Sequence, residues 1–159
     1  MKDMQTTIPS PVGPLAVTVD DDGTVTRIGF GAGDVSDDPR FQTVVAQLRE
    51  YFAGERTDFD LRLRPAGGSP FEQRVWQALL EIPYGDTVSY GEIAARIGHP
   101  GKARAVGRAN ARNPVAIVCP CHRVIGSDGS LTGYGGGLEN KRTLLDLEAG
   151  ALSLAMDTA

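Results

Sequence analysis

The hydrophobic pattern of this 159-residue chain changes its period once, at the segment Pro65-Ala66-Gly67-Gly68. Before this segment, short stretches alternate between apolar and polar residues, which is typical of half-buried strands. After it, apolar residues recur three and four positions apart, which is typical of amphipathic helices. We therefore predict an α/β protein, with a small N-terminal antiparallel sheet and a helix at residues 1–68 and a mostly helical domain at residues 69–159.

The N-terminal half contains four predicted strands and one predicted helix. The strands span residues 6–8, 15–19, 25–30 and 59–63, and the first three are separated by turn-forming residues rich in Pro, Asp and Gly. Apolar residues at helical spacing predict a helix over residues 41–52, which Gly54 ends.

The C-terminal half is predicted to be helical, with one strand. Ser69 followed by Pro70 is an N-cap signal for a first helix, and Ser89 is the N-cap of a second, short one. A third helix over residues 102–111 follows a tight turn, so the second and third helices read as a helix-turn-helix. The apolar run at 115–118 predicts a buried strand, and a last helix over residues 139–148 precedes a frayed tail.

Basic residues cluster around this helix-turn-helix, although the formal net charge is −4. Between residues 94 and 127 there are six basic residues and no acidic one: Arg96, Lys102, Arg104, Arg108, Arg112 and Arg123. The three at i, i+4 and i+8 of the third helix project from one side: Arg104, Arg108 and Arg112. Small residues keep that helix slim: Ala105, Gly107 and Ala109. Such a patch attracts a phosphate backbone whatever the total charge, so we expect DNA binding. A solvated basic face is the alternative.

The two cysteines, Cys119 and Cys121, are separated only by Pro120, too close for an unstrained disulfide. This is typical of a reducing compartment, where a thiol serves chemistry. The only histidines are His99 and His122, and the spaced ligand pairs of structural zinc sites are missing, so we expect no metal. With no apolar leader segment and no apolar run of membrane-spanning length, we expect a cytoplasmic protein without a membrane partner.

Several motifs of the second half occur in a characteristic order. They are Ile82-Pro83-Tyr84-Gly85 with Ser89-Tyr90, Arg104-Ala105-Val106-Gly107, Asn113-Pro114, Pro120-Cys121-His122-Arg123-Val124 and Tyr134-Gly135-Gly136-Gly137-Leu138. In this order and spacing, residues 69–150 resemble the catalytic domain of the O6-alkylguanine-DNA alkyltransferases. Residues 1–68 resemble the variable N-terminal domain of that family only in length and in the pattern of elements.

The resemblance implies DNA repair by direct transfer of an alkyl group to Cys121, irreversibly and once per protein molecule. The alkyl group would come from O6 of guanine, and also from O4 of thymine, in double-stranded DNA. The protein would act as a monomer and without a cofactor. A thiolate suits this reaction because a soft anion is the best side-chain nucleophile for an alkyl carbon. A thiol ionises near pH 8.5 and needs a base or a cation, which the adjacent His122 and Arg123 offer. Successive residues of an extended chain point in opposite directions, so sequence alone does not require contact between Cys121 and His122.

The resemblance also implies a role for each site residue. The family links its cysteine through a water to a histidine and on to a glutamate of the last helix, here Cys121, His122 and Glu148. Asn113 would hold the turn that carries the nucleophile by bonding to its backbone. The base must leave the stack, so Arg104 would fill the gap from a helix in the minor groove, and Tyr90 would rotate the nucleotide and donate to the departing guanine. The remaining implied residues would line the base pocket: Val124, Tyr134, Gly135 and Gly136.

Two residues depart from the family pattern. Gly135 stands where some relatives carry Ser, so a hydroxyl contact to O6 is lost. Cys119 stands where the family has an aliphatic residue, so we expect a small core hydrophobe. Three other functions remain alternatives: a non-enzymatic lesion sensor of the alkyltransferase-like type, a transcription regulator, and a cysteine hydrolase. A sensor of that type lacks the nucleophile that Cys121 supplies, the Cys-His pair disfavours a regulator, and a hydrolase would turn over.

Overall fold

The computed structural model describes residues 3–132 and 134–157, and this part of the chain forms two compact units that meet at the Ala66–Gly67 bond. Each unit has its own core. No helix of the described ranges is long and apolar enough to cross a membrane.

The N-terminal unit is a three-stranded antiparallel sheet with one helix. Strands β1 (Met4–Ile8), β2 (Leu15–Val19) and β3 (Val25–Phe30) are neighbours in chain order, and a 3-10 turn (Pro39–Phe41) leads into α1 (Gln42–Phe52). The alternating apolar residues of β2 are buried, as are the inward residues of α1. These four elements confirm the strands and the helix predicted for residues 6–52.

The strand predicted over residues 59–63 is wrong. Only Leu63 pairs with the sheet, in an isolated parallel bridge to Val25. The backbone of Asp60 is bonded to a side chain instead, because the Gln47 amide donates to its carbonyl (3.1 Å) and accepts from its N–H (2.9 Å). A backbone whose hydrogen bonds go to a buried side chain cannot also extend a ladder.

The C-terminal unit contains four helices and a short parallel strand pair among its described residues. The helices are α2 (Pro70–Leu79), α3 (Tyr90–Arg96), α4 (Ala103–Ala111) and α5 (Leu138–Asp157), and the strands are β4 (Val88–Ser89) and β5 (Val124–Ile125). Capping boxes start α2 and α3, each with its serine accepting from the N3 amide and the N3 glutamate accepting from the serine N–H. Helix α5 continues beyond Gly150, where we had expected a frayed tail.

The strand predicted over residues 115–118 is also wrong, because this apolar segment forms a buried turn. The N–H of Cys119 donates to the carbonyl of Val115 (3.0 Å), and that of Val118 donates to Ala116 (2.8 Å). Ile117 has φ +72°, a conformation that a β-branched residue adopts only when its surroundings impose it. The turn leads the chain from the end of α4 directly to Cys121.

Candidate active site

Cys121 lies at the start of a buried 3-10 turn, Cys121–Arg123, that follows the turn at 115–118. Asn113 holds this segment from the end of α4: its Nδ2 donates to the carbonyl of Cys119 (2.8 Å), and its Oδ1 accepts from the N–H of Val115 (3.0 Å). A second asparagine, Asn110, donates from within α4 to the carbonyl of Cys121 itself (3.2 Å). Asn113 is one of the site residues predicted from the sequence, and Asn110 is not.

His122 and Glu148 are in direct contact in the interior of this unit. The distance from His122 Nε2 to Glu148 Oε2 is 2.7 Å, and both side chains are at most 1% exposed. Burial raises the pKa of Glu148, but hydrogen bonds from His122 and Arg123 outweigh it and bring that pKa down to about 2. Burial lowers the pKa of His122, against the opposing effect of Glu148, so its imidazole is neutral at neutral pH.

These charges fix which nitrogen of His122 carries the proton. Glu148 is an anion and can only accept, so the proton lies on Nε2. Nδ1 is therefore the basic nitrogen, and no hydrogen-bond partner for it occurs among the described residues. The imidazole is oriented to accept a proton on the atom that faces away from Glu148.

Arg123 completes the group around Glu148 and is not part of the exposed basic patch. Its Nε and Nη2 donate to the two Glu148 oxygens (2.8 and 2.9 Å), and its Nη1 donates to the carbonyl of Ile82 (2.7 Å). Arg123 is only 6% exposed. The predicted patch of six basic residues therefore contains five, because this guanidinium neutralises a buried carboxylate.

Burial raises the pKa of the Cys121 thiol to about 11, so the resting site holds a neutral thiol. The amide of Asn113, the positive charge of Lys141 and the backbone amides of Cys121 and His122 oppose this effect. Cys119 is also buried; its Sγ donates to the carbonyl of Trp76 (3.5 Å), and burial raises its pKa as well. Of the two cysteines, Cys121 is the one surrounded by groups that stabilise a thiolate.

Lys141 of α5 is fully buried and was missed by the sequence analysis. Its Nζ donates to the carbonyl of Thr132 (2.7 Å) and lies 3.5 Å from the hydroxyl of Tyr90 and 5.8 Å from the centre of its ring. Burial lowers the pKa of Lys141 to about 8, so it stays mostly charged at neutral pH. A signal was present, because Lys141 shares the inward i, i+3, i+7 spacing of α5 with Leu144 and Glu148.

The hydroxyl of Tyr90, at the start of α3, is bonded to the loop that precedes α5. It donates to the carbonyl of Thr132 (3.0 Å), while the Thr132 hydroxyl donates to Tyr90 (3.2 Å). To donate to a substrate, Tyr90 must exchange the Thr132 carbonyl for the new acceptor. Lys141 contacts both the Tyr90 hydroxyl and the Thr132 carbonyl.

The residues expected to line a base pocket lie around this loop. Val124 is fully buried, and burial raises the pKa of the half-buried Tyr134. A Cβ at Gly135 would lie 3.5 Å from the carbonyl of Ala111, an ordinary contact. The carbonyl of Gly136 accepts from the side chain of Asn140 (2.9 Å), which fixes the loop to α5.

Helix α4 and the residue that follows it present basic side chains outward. Arg104 and Arg108 of α4 and Arg112, its C-cap, are exposed, and Nη1 of Arg112 lies 3.5 Å from Oε2 of Glu72. The small residues Ala105 and Gly107 are half-buried. Ala109, which we expect to lie close to DNA with Ala105 and Gly107, is 1% exposed, so the structure contradicts a contact of its side chain with DNA. It faces α2, and its carbonyl accepts from Trp76 Nε1 (2.9 Å), because one turn of a helix cannot expose all of its positions.

Comparison with known proteins agrees over nearly the whole chain. Residues 4–65 match the model of the "6-O-methylguanine DNA methyltransferase, ribonuclease-like domain", and residues 70–150 match that of the "6-O-methylguanine DNA methyltransferase, DNA binding domain". A methylated-DNA–protein-cysteine methyltransferase of Mycobacterium leprae is 52% identical over 150 residues, which cover 87% of this chain and 88% of the relative.

Solved structures give the same result. The O6-methylguanine methyltransferase of Mycobacterium tuberculosis superposes with a TM-score of 0.86 at 48% identity, covering 96% of this chain and 99% of that one. The OGT of the same organism in complex with DNA superposes with a TM-score of 0.84 at 52% identity, covering 92% and 93% of the two chains. This chain therefore belongs to the 6-O-methylguanine DNA methyltransferase family, and it is an alkyl-transferring DNA repair enzyme.

Proposed function

We propose that this protein removes the alkyl group from O6 of guanine in duplex DNA and keeps it on Cys121, once per molecule. The observation that carries the proposal is the buried contact between His122 Nε2 and Glu148 Oε2 (2.7 Å), in the residue adjacent to a buried thiol. This contact holds the proton of the imidazole on Nε2 and leaves Nδ1 basic. This is the arrangement of a nucleophile activated by an oriented base.

The reaction balances with the groups of this site. The thiol proton passes to His122 Nδ1 through a water, as the family's relay implies, and the sulfur of Cys121 forms a bond to the alkyl carbon as the bond from that carbon to O6 breaks. The electron pair of the broken bond stays on the guanine, which takes a proton from Tyr90 as it leaves. The positive charge of Lys141 favours the thiolate that attacks. The sulfur–carbon bond is stable, so the protein is consumed.

Access to the lesion requires the nucleotide to leave the stack, which costs a few kcal/mol. We assign Arg104, exposed at the first turn of α4, to the space that the nucleotide vacates, and Arg108 and Arg112 to the phosphate backbone. Helix α4 would lie along the minor groove with Ala105 and Gly107 closest to the DNA. Action on O4 of thymine, a monomeric state and a cytoplasmic location remain predictions.

The decisive experiment is the mass of the intact protein after reaction with a duplex that contains O6-methylguanine. We expect a gain of one methyl group, located on Cys121 by peptide mapping, and no further repair once every molecule has reacted. Cys121→Ala should abolish transfer and retain DNA binding, whereas the matched control Cys119→Ala should retain transfer. Repair of more than one lesion per protein molecule, or a methyl group on Cys119, would overturn the proposal.

A further inference from the structure

Asn110 is a polar residue on the buried face of α4. It shares this face with Val106 and Ala109, and all three side chains are at most 1% exposed. Asparagine is a poor residue for a helix interior, and an alkyl side chain would fill the same space without needing hydrogen-bond partners. The Oδ1 of Asn110 has no hydrogen-bond partner among the described residues. The amide is therefore unfavourable for the helix and the core, and its benefit lies in the bond that its Nδ2 makes.

That bond goes to the nucleophile. Nδ2 of Asn110 donates to the carbonyl of Cys121 (3.2 Å), which also accepts from the N–H of Val124. The carbonyl belongs to the peptide group that joins Cys121 to His122. A peptide group is planar, so two donors that fix its oxygen also fix the direction of its N–H. This N–H belongs to His122, and it lowers the pKa of the Cys121 thiol, as a donor on the side of the sulfur does.

We propose that Asn110 is a positioning residue for alkyl transfer: its amide holds the Cys121–His122 peptide so that the N–H of this peptide faces the Cys121 sulfur. The inference rests on Cys121 as the alkyl acceptor. Asn113 holds the preceding turn through Val115 and Cys119, whereas Asn110 acts on the peptide of the nucleophile itself. The helix that carries Arg104 on its outer face thus orients the nucleophile from its inner face.

The consequence for reactivity follows from the direction of the N–H. A donor that faces a sulfur stabilises its anionic form, so a peptide that can rotate gives a weaker thiolate. Other titratable groups also act on this sulfur and stay the same in the variants below: Lys141 of α5, Tyr134 of the preceding loop and Cys119. The adjacent His122, bonded to Glu148, is also unchanged. A change in the pH dependence can then be assigned to the peptide.

The test compares wild type, Asn110→Leu and Val106→Ala in their reaction with free O6-benzylguanine, which removes DNA binding from the measurement. Val106 is the matched control because it is buried on the same face of α4 and its alkyl side chain cannot donate a hydrogen bond to the Cys121 carbonyl. Intact mass gives the rate constant from neutral to strongly alkaline pH. We expect Asn110→Leu to react about tenfold more slowly at neutral pH and to approach the wild-type rate at alkaline pH, where the thiol ionises unaided.

We expect Val106→Ala to melt at a lower temperature and to keep the wild-type pH profile. The inference is overturned if Asn110→Leu keeps the wild-type profile, or if both variants show the same displacement, because a loss of packing alone would then explain it. If Asn110→Leu does not fold, Asn110→Ala removes the amide without adding bulk and gives the same readout. Wild-type protein that reacts at a residue other than Cys121 would instead refute the proposed function, and this inference with it.

Discussion

Replacing Lys141 by methionine should make this protein more stable and less active. Burial lowers the pKa of Lys141 from 10.5 to about 8, which corresponds to a cost of about 3 kcal/mol for the charged form in the folded state. Methionine has a similar length and removes this cost. It also removes the hydrogen bond from Lys141 to the Thr132 carbonyl, and a bond from a charged donor is worth about 1.5–3 kcal/mol. Because Tyr90 still donates to that carbonyl at 3.0 Å, we expect the loss to be about 1.5 kcal/mol. We expect a net gain of about 1–2 kcal/mol in the free energy of unfolding at pH 7.

The gain should depend on pH in a direction set by the lowered pKa. The cost of the buried charge is fully present below about pH 8 and disappears as the pH rises toward 10.5, where lysine is neutral in the unfolded chain as well. The advantage of Lys141→Met should therefore shrink over that range and reverse near pH 10.5, where the lost bond to the Thr132 carbonyl is the remaining difference. The rate of alkyl transfer at pH 7 should fall about tenfold, because the thiolate of Cys121 loses a nearby cation.

Urea denaturation at pH 7 and at alkaline pH measures the first effect, and intact mass after reaction with methylated duplex measures the second. Arg142→Met is the matched control, since Arg142 is the exposed neighbour of Lys141 and should leave both quantities unchanged. A Lys141→Met protein that is less stable than wild type at pH 7, or that transfers at the wild-type rate, would refute the reasoning.

Four further predictions concern the remaining parts of the site. Glu148→Gln leaves Arg123 buried without its anion and should cost about 3–5 kcal/mol of unfolding free energy, measured in urea. In wild type, the contribution of Glu148 to stability is present above pH 4.5 and is lost as the pH falls through about 2. An acid titration of the unfolding free energy would detect this loss. Arg104→Ala should slow repair of duplex DNA and leave the reaction with free O6-benzylguanine nearly unchanged, whereas Tyr90→Phe should slow both; equal losses for Arg104→Ala on the two substrates would exclude its role in the stack. The affinity for duplex DNA should fall with salt, with a log–log slope of about −0.9 for each phosphate neutralised and no steeper than about −4.5 for the five exposed bases; a flat salt dependence would contradict electrostatic docking. Cys121 is 5% exposed, so a methyl group on its sulfur must fit into a packed site. We expect the free energy of unfolding of the methylated protein to be about 1–3 kcal/mol lower, measured by thermal or urea unfolding. An unchanged stability would mean that the pocket already has room for the methyl group.

The secondary structure could be predicted wherever a local signal and the final packing agree. Ser69 and Ser89 start helices because their side chains bond to amides three residues on, a contact that depends on adjacent sequence alone. The apolar run at 115–118 carries no such signal: burial requires apolar residues in a strand and in a turn alike. Its turn conformation depends on Asn113, whose bonds to the backbone of Val115 and Cys119 could not be inferred from spacing.

The site divides in a similar way. Cys121, His122 and Glu148 could be named because the motifs of this chain resemble those of a known family, which has a glutamate in its last helix. Lys141 and Asn110 could not be named, and Arg123 was placed beside the thiol and in the basic patch, because the sequence does not show whether a polar residue is buried. Their roles depend on which groups the fold places opposite them: the Thr132 carbonyl, the Glu148 carboxylate and the Cys121 carbonyl.

Strands β4 and β5 are paired in parallel, Val88 with Val124 and Ser89 with Ile125. This pairing joins the residue before Tyr90 to the segment that follows His122. A local opening that separates the helix-turn-helix from the nucleophile must first break this ladder. The amide hydrogens of the two strands should therefore exchange with deuterium at a rate close to that of the turn around Cys121, as one cooperative unit. A thiol inside such a unit meets small electrophiles that the base pocket does not bind only when the whole unit opens, which favours reaction with the alkylated base for which the protein is consumed.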